Sequence, residues 1–145
     1  MKNINNNYFT ANKIDTEKIV YGFFSKNGGY SLKNFYSLNC NFNSGDNDKL
    51  VKKNIIIAKK NLGLHNKQIK FLKQTHSAKV EMIDHINLDQ IIKADGSITK
   101  DKKIALAVLT ADCAPIFIFD KKNTFICSLH AGWKGCLDNI VKNAV

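Results

Sequence analysis

Apolar residues fall along this chain in short runs separated by polar turns, the pattern of a domain that mixes strands and helices. Residues 19–25 are apolar and rich in β-formers and predict a strand. Asn27-Gly28-Gly29 then breaks it, as a turn needing positive φ would. Over residues 46–62 the period changes. Leu50, Val51, Ile55, Ala58 and Leu62 share one helical face, Asp46 or Asp48 is placed to cap the start, and Gly63 to end it. Residues 69–74 and 79–84 predict strands on either side of Thr75-His76-Ser77.

Residues 104–110 and 116–120 also read as strands, with Ala111-Asp112-Cys113-Ala114-Pro115 between them. Pro115 is the only proline, and because it donates nothing to a ladder it marks a strand edge or bulge. Lys121-Lys122-Asn123 reads as a turn and residues 124–129 as the returning strand. His130-Ala131-Gly132-Trp133 leaves that strand and enters a helix whose Leu137, Ile140, Val141, Ala144 and Val145 form an apolar stripe. Trp133 is expected to anchor packing. The stripe runs to the last residue with no stop signal, so the expectation is one domain over residues 1–145, the N-terminal portion of something longer.

Composition changes this picture little. The chain has 145 residues, enough for a real core, and a net charge of +10. Such a charge raises nucleic acid or anionic membranes as partners. Yet all 22 basic residues are lysine, and specific readers of nucleic acid lean on arginine for bidentate contacts. Pairs such as Lys52-Lys53 and Lys59-Lys60 read as a solvated helix face. No specific nucleic-acid site and no membrane partner are expected. The Asn-rich start has no signal-peptide core, and the four cysteines form no C-x-x-C pair, so a cytoplasmic location is expected.

His76, Cys113 and His130 each sit beside a predicted strand end, where a ligand is held rigidly. One thiolate and two imidazoles suit Zn²⁺, and three protein ligands leave a fourth position open, as catalytic sites require. On residue types alone the bland alternatives stand beside this one: structural histidines and a small core cysteine.

Four segments add a resemblance: residues 22–31 with Ser37-Leu38-Asn39, then Gln74-Thr75-His76-Ser77-Ala78-Lys79-Val80, then Thr110-Ala111-Asp112-Cys113-Ala114-Pro115, then His130-Ala131-Gly132-Trp133-Lys134-Gly135. In these motifs and their order the chain resembles the YfiH-like family, also called the laccase-domain or multicopper polyphenol oxidoreductase family. The resemblance implies an α+β fold, a mixed α/β sandwich distantly like the catalytic domain of cytotoxic necrotizing factor. It implies zinc on His76, Cys113 and His130, and phosphorolysis of adenosine, inosine, guanosine and methylthioadenosine with adenosine deamination as a side activity. It also implies that a C-terminal segment, or a partner polypeptide in its place, completes the pocket. Where the family usually carries arginine this chain has Lys26 and Lys134, point charges in place of planar forks.

Roles follow from that reading. Lys26, beside the glycine turn, and Lys134 are placed to bind an anion, Asn39 to bond ribose or base, and Asp112 to orient a ligand histidine through its second ring nitrogen. Three other readings compete. Copper is an alternative at the same ligands, but four histidines fall short of a multicopper oxidase. Cys113 as nucleophile, with His130 or His76 as base and Asp112 as orienter, would make an amidase editing peptidoglycan precursors. The last is an inactive fragment.

Overall fold

The structure, a computed structural model, describes residues 2–4, 8–10, 19–122 and 124–145. It divides into two compact units, residues 1–65 and residues 66–145.

In the first unit, β1 (Lys2–Ile4), β2 (Tyr8–Thr10) and β3 (Phe23–Phe24) form an antiparallel sheet in that order. Only two residues of the expected 19–25 strand pair in it, though Ile19 and Tyr21 from the same run are buried. Gly28 takes the positive φ, 85°, that the turn called for. Helix α1 spans Asp48–Asn61 and is followed by Gly63 at φ 67°. Its cap is Asn47, whose side chain accepts the Lys49 amide at 2.9 Å, and neither Asp46 nor Asp48. Asn47 has the extended backbone a cap needs, while Asp46 turns its carboxylate to the Ser31 hydroxyl and the Asn39 amide.

The buried face of α1 carries Val51 and Ile55 as the pattern requires, but also Asn54, fully buried. Its Oδ1 accepts the Tyr30 amide at 2.7 Å. Its Nδ2 donates to Ser31 Oγ at 2.8 Å and to the Asn39 carbonyl at 2.8 Å. A buried amide is tolerated because its polar atoms are met, and in meeting them it fixes the loop over residues 26–46.

The second unit has two sheets. β4 (Gln68–Phe71) pairs parallel with β7 (Ile104–Ala107). The other has the order β5 (Val80–Met82), β6 (Gly96–Thr99), β9 (Ile126–Ala131), β8 (Ala114–Phe119), parallel between β5 and β6 and antiparallel elsewhere. Strand β8 is an edge, which is where Pro115 can sit. Lys121 and Lys122 make the expected turn, and Asn123 lies outside the described residues. Along β9 the side chains alternate. Cys127, Leu129 and Ala131 join a core with Ile140 and Ala144, while Ser128 and His130 are buried on the opposite face.

The helix expected after His130 is broken. Asn139 adopts a left-handed conformation, φ 60°, and separates α2 (Trp133–Leu137) from α3 (Ile140–Asn143). Of the apolar stripe, Ile140 and Ala144 are buried, whereas Leu137, Val141 and Val145 are exposed. Trp133 is 68% exposed and is no packing anchor; the Lys134 ammonium lies 5.4 Å from its ring centroid. No helix among the described residues is long and apolar enough to cross a membrane.

Candidate metal centre

The strand registers bring the three ligand-type residues to one end of the four-stranded sheet. In the β8–β9 ladder Ala114 faces Ala131 and Pro115 faces His130, so Cys113 arrives one step beyond, opposite Gly132. In the β6–β9 ladder Gly96 faces Leu129, and the His130 amide donates to the Asp95 carbonyl at 2.7 Å, which sets Asp95 beside His130. His76 comes from the loop between β4 and β5, where its φ is 57°. The ligand atoms of His76, Cys113 and His130 all lie within 4.8 Å of one another. The two imidazole rings stand 4.8 Å apart, nearly perpendicular.

Gly132 explains how the groups converge. A Cβ at that position would lie 2.9 Å from His76 Nδ1 and 3.3 Å from Cys113 Sγ. The space is kept by the lack of a side chain. Gln74, two residues before His76, is clamped at two points to Leu109, at the start of the segment that leads to Cys113. Its side-chain amide donates to the Leu109 carbonyl and its side-chain oxygen accepts the Leu109 amide, both at 2.8 Å.

Asp95, fully buried, lies beneath the site. It accepts the backbone amides of Thr75, His76 and Ser77, the last two at 2.9 and 2.7 Å, and the Ser77 hydroxyl at 2.7 Å. Its Oδ1 also lies 2.8 Å from His130 Nδ1. Burial on its own would raise this carboxyl. The bonds from the Ser77 amide, His130, the Ser77 hydroxyl and the Thr75 amide outweigh it and hold the group at about 2. An ionised carboxylate only accepts, so the proton between it and His130 belongs to Nδ1, and Nε2 is left as the free ligand atom.

The Cys113 thiol is pushed up by burial, then by the charge of Asp112 and a hydrogen bond to it, and further by Cys136 and Asp95. The donor set, the emptied position at Gly132 and the free Nε2 of His130 together fit a borderline-soft metal ion with three protein ligands.

His76, Cys113 and His130 are thus brought together as the sequence suggested. Asp112 is exposed and interacts with Cys113, and the carboxylate on the second nitrogen of His130 is Asp95. Sequence reasoning missed Asp95. Its signal is slight: an aspartate between Ala94 and a strand, a place where charge is seldom buried without partners. Lys134 is exposed on α2. Lys26 and Asn39 belong to the first unit. Lys26 is exposed there. The Asn39 amide donates to Ser44 and Asp46, and its oxygen accepts the Asn41 amide.

Residues 20–145 match the family described as multi-copper polyphenol oxidoreductase laccase. The chain is 32% identical to the purine nucleoside phosphorylase YlmD of Bacillus subtilis, over 90% of this chain and 50% of that one. It is 32% identical to a purine nucleoside phosphorylase of Streptomyces coelicolor, over 86% of this chain and 52% of that one. Among solved structures, YlmD from Geobacillus stearothermophilus superposes with a TM-score of 0.79 at 25% identity, over 85% of this chain and 48% of that one. A Neisseria meningitidis protein gives 0.75 at 33% identity, over 84% and 49%. The chain spans about half the length of the curated relatives it matches. It belongs to the multi-copper polyphenol oxidoreductase laccase family, the group of YfiH- and YlmD-type proteins with a mixed α/β fold.

Proposed function

We propose that this chain carries the metal centre of a zinc-dependent purine nucleoside phosphorylase, with residues 1–145 as the N-terminal portion of one laccase-like domain. The family match runs through both compact units, and curated relatives bear that activity in their names. The observation that carries the reading is the convergence of His76, Cys113 and His130, with Asp95 fixing the second nitrogen of His130.

Zinc bound there would supply a Lewis-acid position for an oxyanion or water. The chain's own residues do the rest. Cys113 and the two histidines would hold the ion as three protein ligands. Lys134, exposed on α2, offers an ammonium group to phosphate, and Lys26, exposed in the first unit, remains a candidate for the same chemistry on its sequence motif alone. Asn39, committed to Ser44, Asp46 and Asn41, contributes by shaping the loop rather than by reaching for ribose. The substrates of this reading are a purine nucleoside and phosphate, with adenosine deamination as a side reaction. The pocket is completed by a C-terminal segment or partner polypeptide. A reducing, cytoplasmic setting suits a thiolate ligand.

The Cys113-nucleophile reading, with His130 or His76 as base, is the alternative at the same site. It uses the same three side chains, which lie within 4.8 Å of one another, and metal content separates the two readings, because a nucleophilic thiolate would not be occupied by zinc.

Purified protein is expected to bind one zinc per chain, and Cys113→Ala to bind none stoichiometrically. One-to-one zinc in that variant would reject the ligand assignment. Release of free base from inosine or adenosine, followed with and without phosphate in this chain and in a polypeptide extended to the relatives' length, tests the reaction. Base release that ignores phosphate, or ammonia as the main product, would replace phosphorolysis by hydrolysis or deamination.

A further inference from the structure

We infer that Asp95 is the positioning residue that builds the metal centre, joining its two histidine ligands before any metal arrives. The inference deepens the metal reading above and rests on it only where affinity is concerned.

Three consecutive backbone amides, Thr75, His76 and Ser77, point at the Asp95 carboxylate. Away from a helix N-terminus, successive amides converge on one anion where a residue between them turns left-handed. His76 does so, with φ 57°. The result is an anion nest, and its anion is a side chain of the same protein. A histidine with positive φ persists only where the surroundings over-determine it, and here the nest does. The Thr75 and Ser77 hydroxyls add two further donors to the same oxygen, at 3.2 and 2.7 Å. On its other side Asp95 holds His130 twice. Its carbonyl accepts the His130 amide at 2.7 Å and its carboxylate accepts Nδ1–H at 2.8 Å.

One residue therefore sets the backbone of one ligand segment and the ring of another that lies 54 positions further along the chain. Asparagine at position 95 keeps the size but turns an NH₂ group toward a cluster of donors. The nest opens, and His130 is free to take the Nε2–H tautomer, whose proton occupies the ligand position. Loss of such a partner typically lowers metal affinity by about 10- to 100-fold.

The first test uses the metal-free wild-type protein and long-range ¹H–¹⁵N correlation of the imidazoles at neutral pH. His130 is expected as the Nδ1–H tautomer, and the Thr75, His76 and Ser77 amides as protected from exchange. An Nε2–H tautomer, or three amides that exchange freely, overturns the inference whether or not the protein binds zinc. The second test titrates Zn²⁺ against a chromogenic chelator for wild type, Asp95→Asn and the surface control Glu81→Gln. A 10- to 100-fold loss in Asp95→Asn alone, with altered His130 nitrogen shifts, is the expected result. Wild-type affinity and shifts in a folded Asp95→Asn protein reject the inference. If that variant does not fold, the wild-type spectra decide. If the wild type itself binds no zinc, the metal reading fails while the tautomer and exchange results still judge Asp95.

Discussion

Gly132 has φ −74° and ψ 169°, which any residue can adopt, so glycine is required there for space alone. Gly132→Ala is expected to leave the fold in place and to weaken metal binding by about tenfold or more, because the new Cβ meets His76 Nδ1 and Cys113 Sγ. Chelator competition beside a thermal melt of the metal-free protein separates the two effects. Unchanged affinity would show that the ligands have slack the geometry does not suggest. A second residue reports through pH. The Ser31 hydroxyl lowers the Asp46 carboxyl most; desolvation opposes it, and Asn39 and the Asn47 amide lower it further. A depressed acid stabilises the fold above its unfolded value, near pH 4, and that stability is lost as pH falls through the folded value. The melting midpoint of wild type is therefore expected to exceed that of Asp46→Asn at pH 7, with the gap closing below about pH 4. A gap that is constant from pH 7 to 3 would remove the charge from the explanation. At this scale the candidate ligands were legible and their support was not. Residue types alone leave structural histidines and a core cysteine as alternatives, and the four motifs with their order single out His76, Cys113 and His130. Asp95 was not legible, because its partners lie 18 to 35 residues away and an aspartate before glycine reads as a turn.

Elements were legible where a period ran long enough. Helix α1 emerges from its apolar face and from Gly63, with only the cap displaced by one residue. Strand β6, Gly96–Thr99, went unread although it lies inside the sheet between β5 and β9. It carries a single large apolar residue, Ile98, and its serine and threonine are buried by neighbours from elsewhere in the chain. The stripe over residues 137–145 failed in the opposite sense. Its spacing is helical, but Asn139 turns left-handed and rotates the remainder, so Ile140 and Ala144 enter the core and Leu137 does not. Ile140→Ala is expected to destabilise by about 2–5 kcal/mol in denaturant unfolding. Leu137→Lys is expected to stay within about 0.5 kcal/mol of wild type. Similar losses for both would restore a continuous buried helix face and contradict the break at Asn139.

For the molecule as a whole, charge bears on partners in a way its sum does not reveal. The lysines are spread through the chain, ten before residue 66 and twelve after, against four and eight acids. The excess is +6 in the first unit and +4 in the second, which together make the net +10. Both units are basic, and neither carries an arginine. The Lys134 ammonium lies over the exposed Trp133, and the Lys53 ammonium lies 5.3 Å from the Tyr30 ring centroid, so some of the charge already has aromatic company. Diffuse lysine of this kind attracts phosphate backbones through counterion release and cannot offer the planar forks that read base edges. Any binding to DNA or RNA is therefore expected to be weak, indifferent to sequence, and reduced by about an order of magnitude or more between 50 and 200 mM salt. Fluorescence anisotropy with two unrelated duplexes and a single strand, across that salt range, measures it. One probe bound well above the others at the high-salt end would reveal a reading surface and displace the small-molecule partners proposed for this chain.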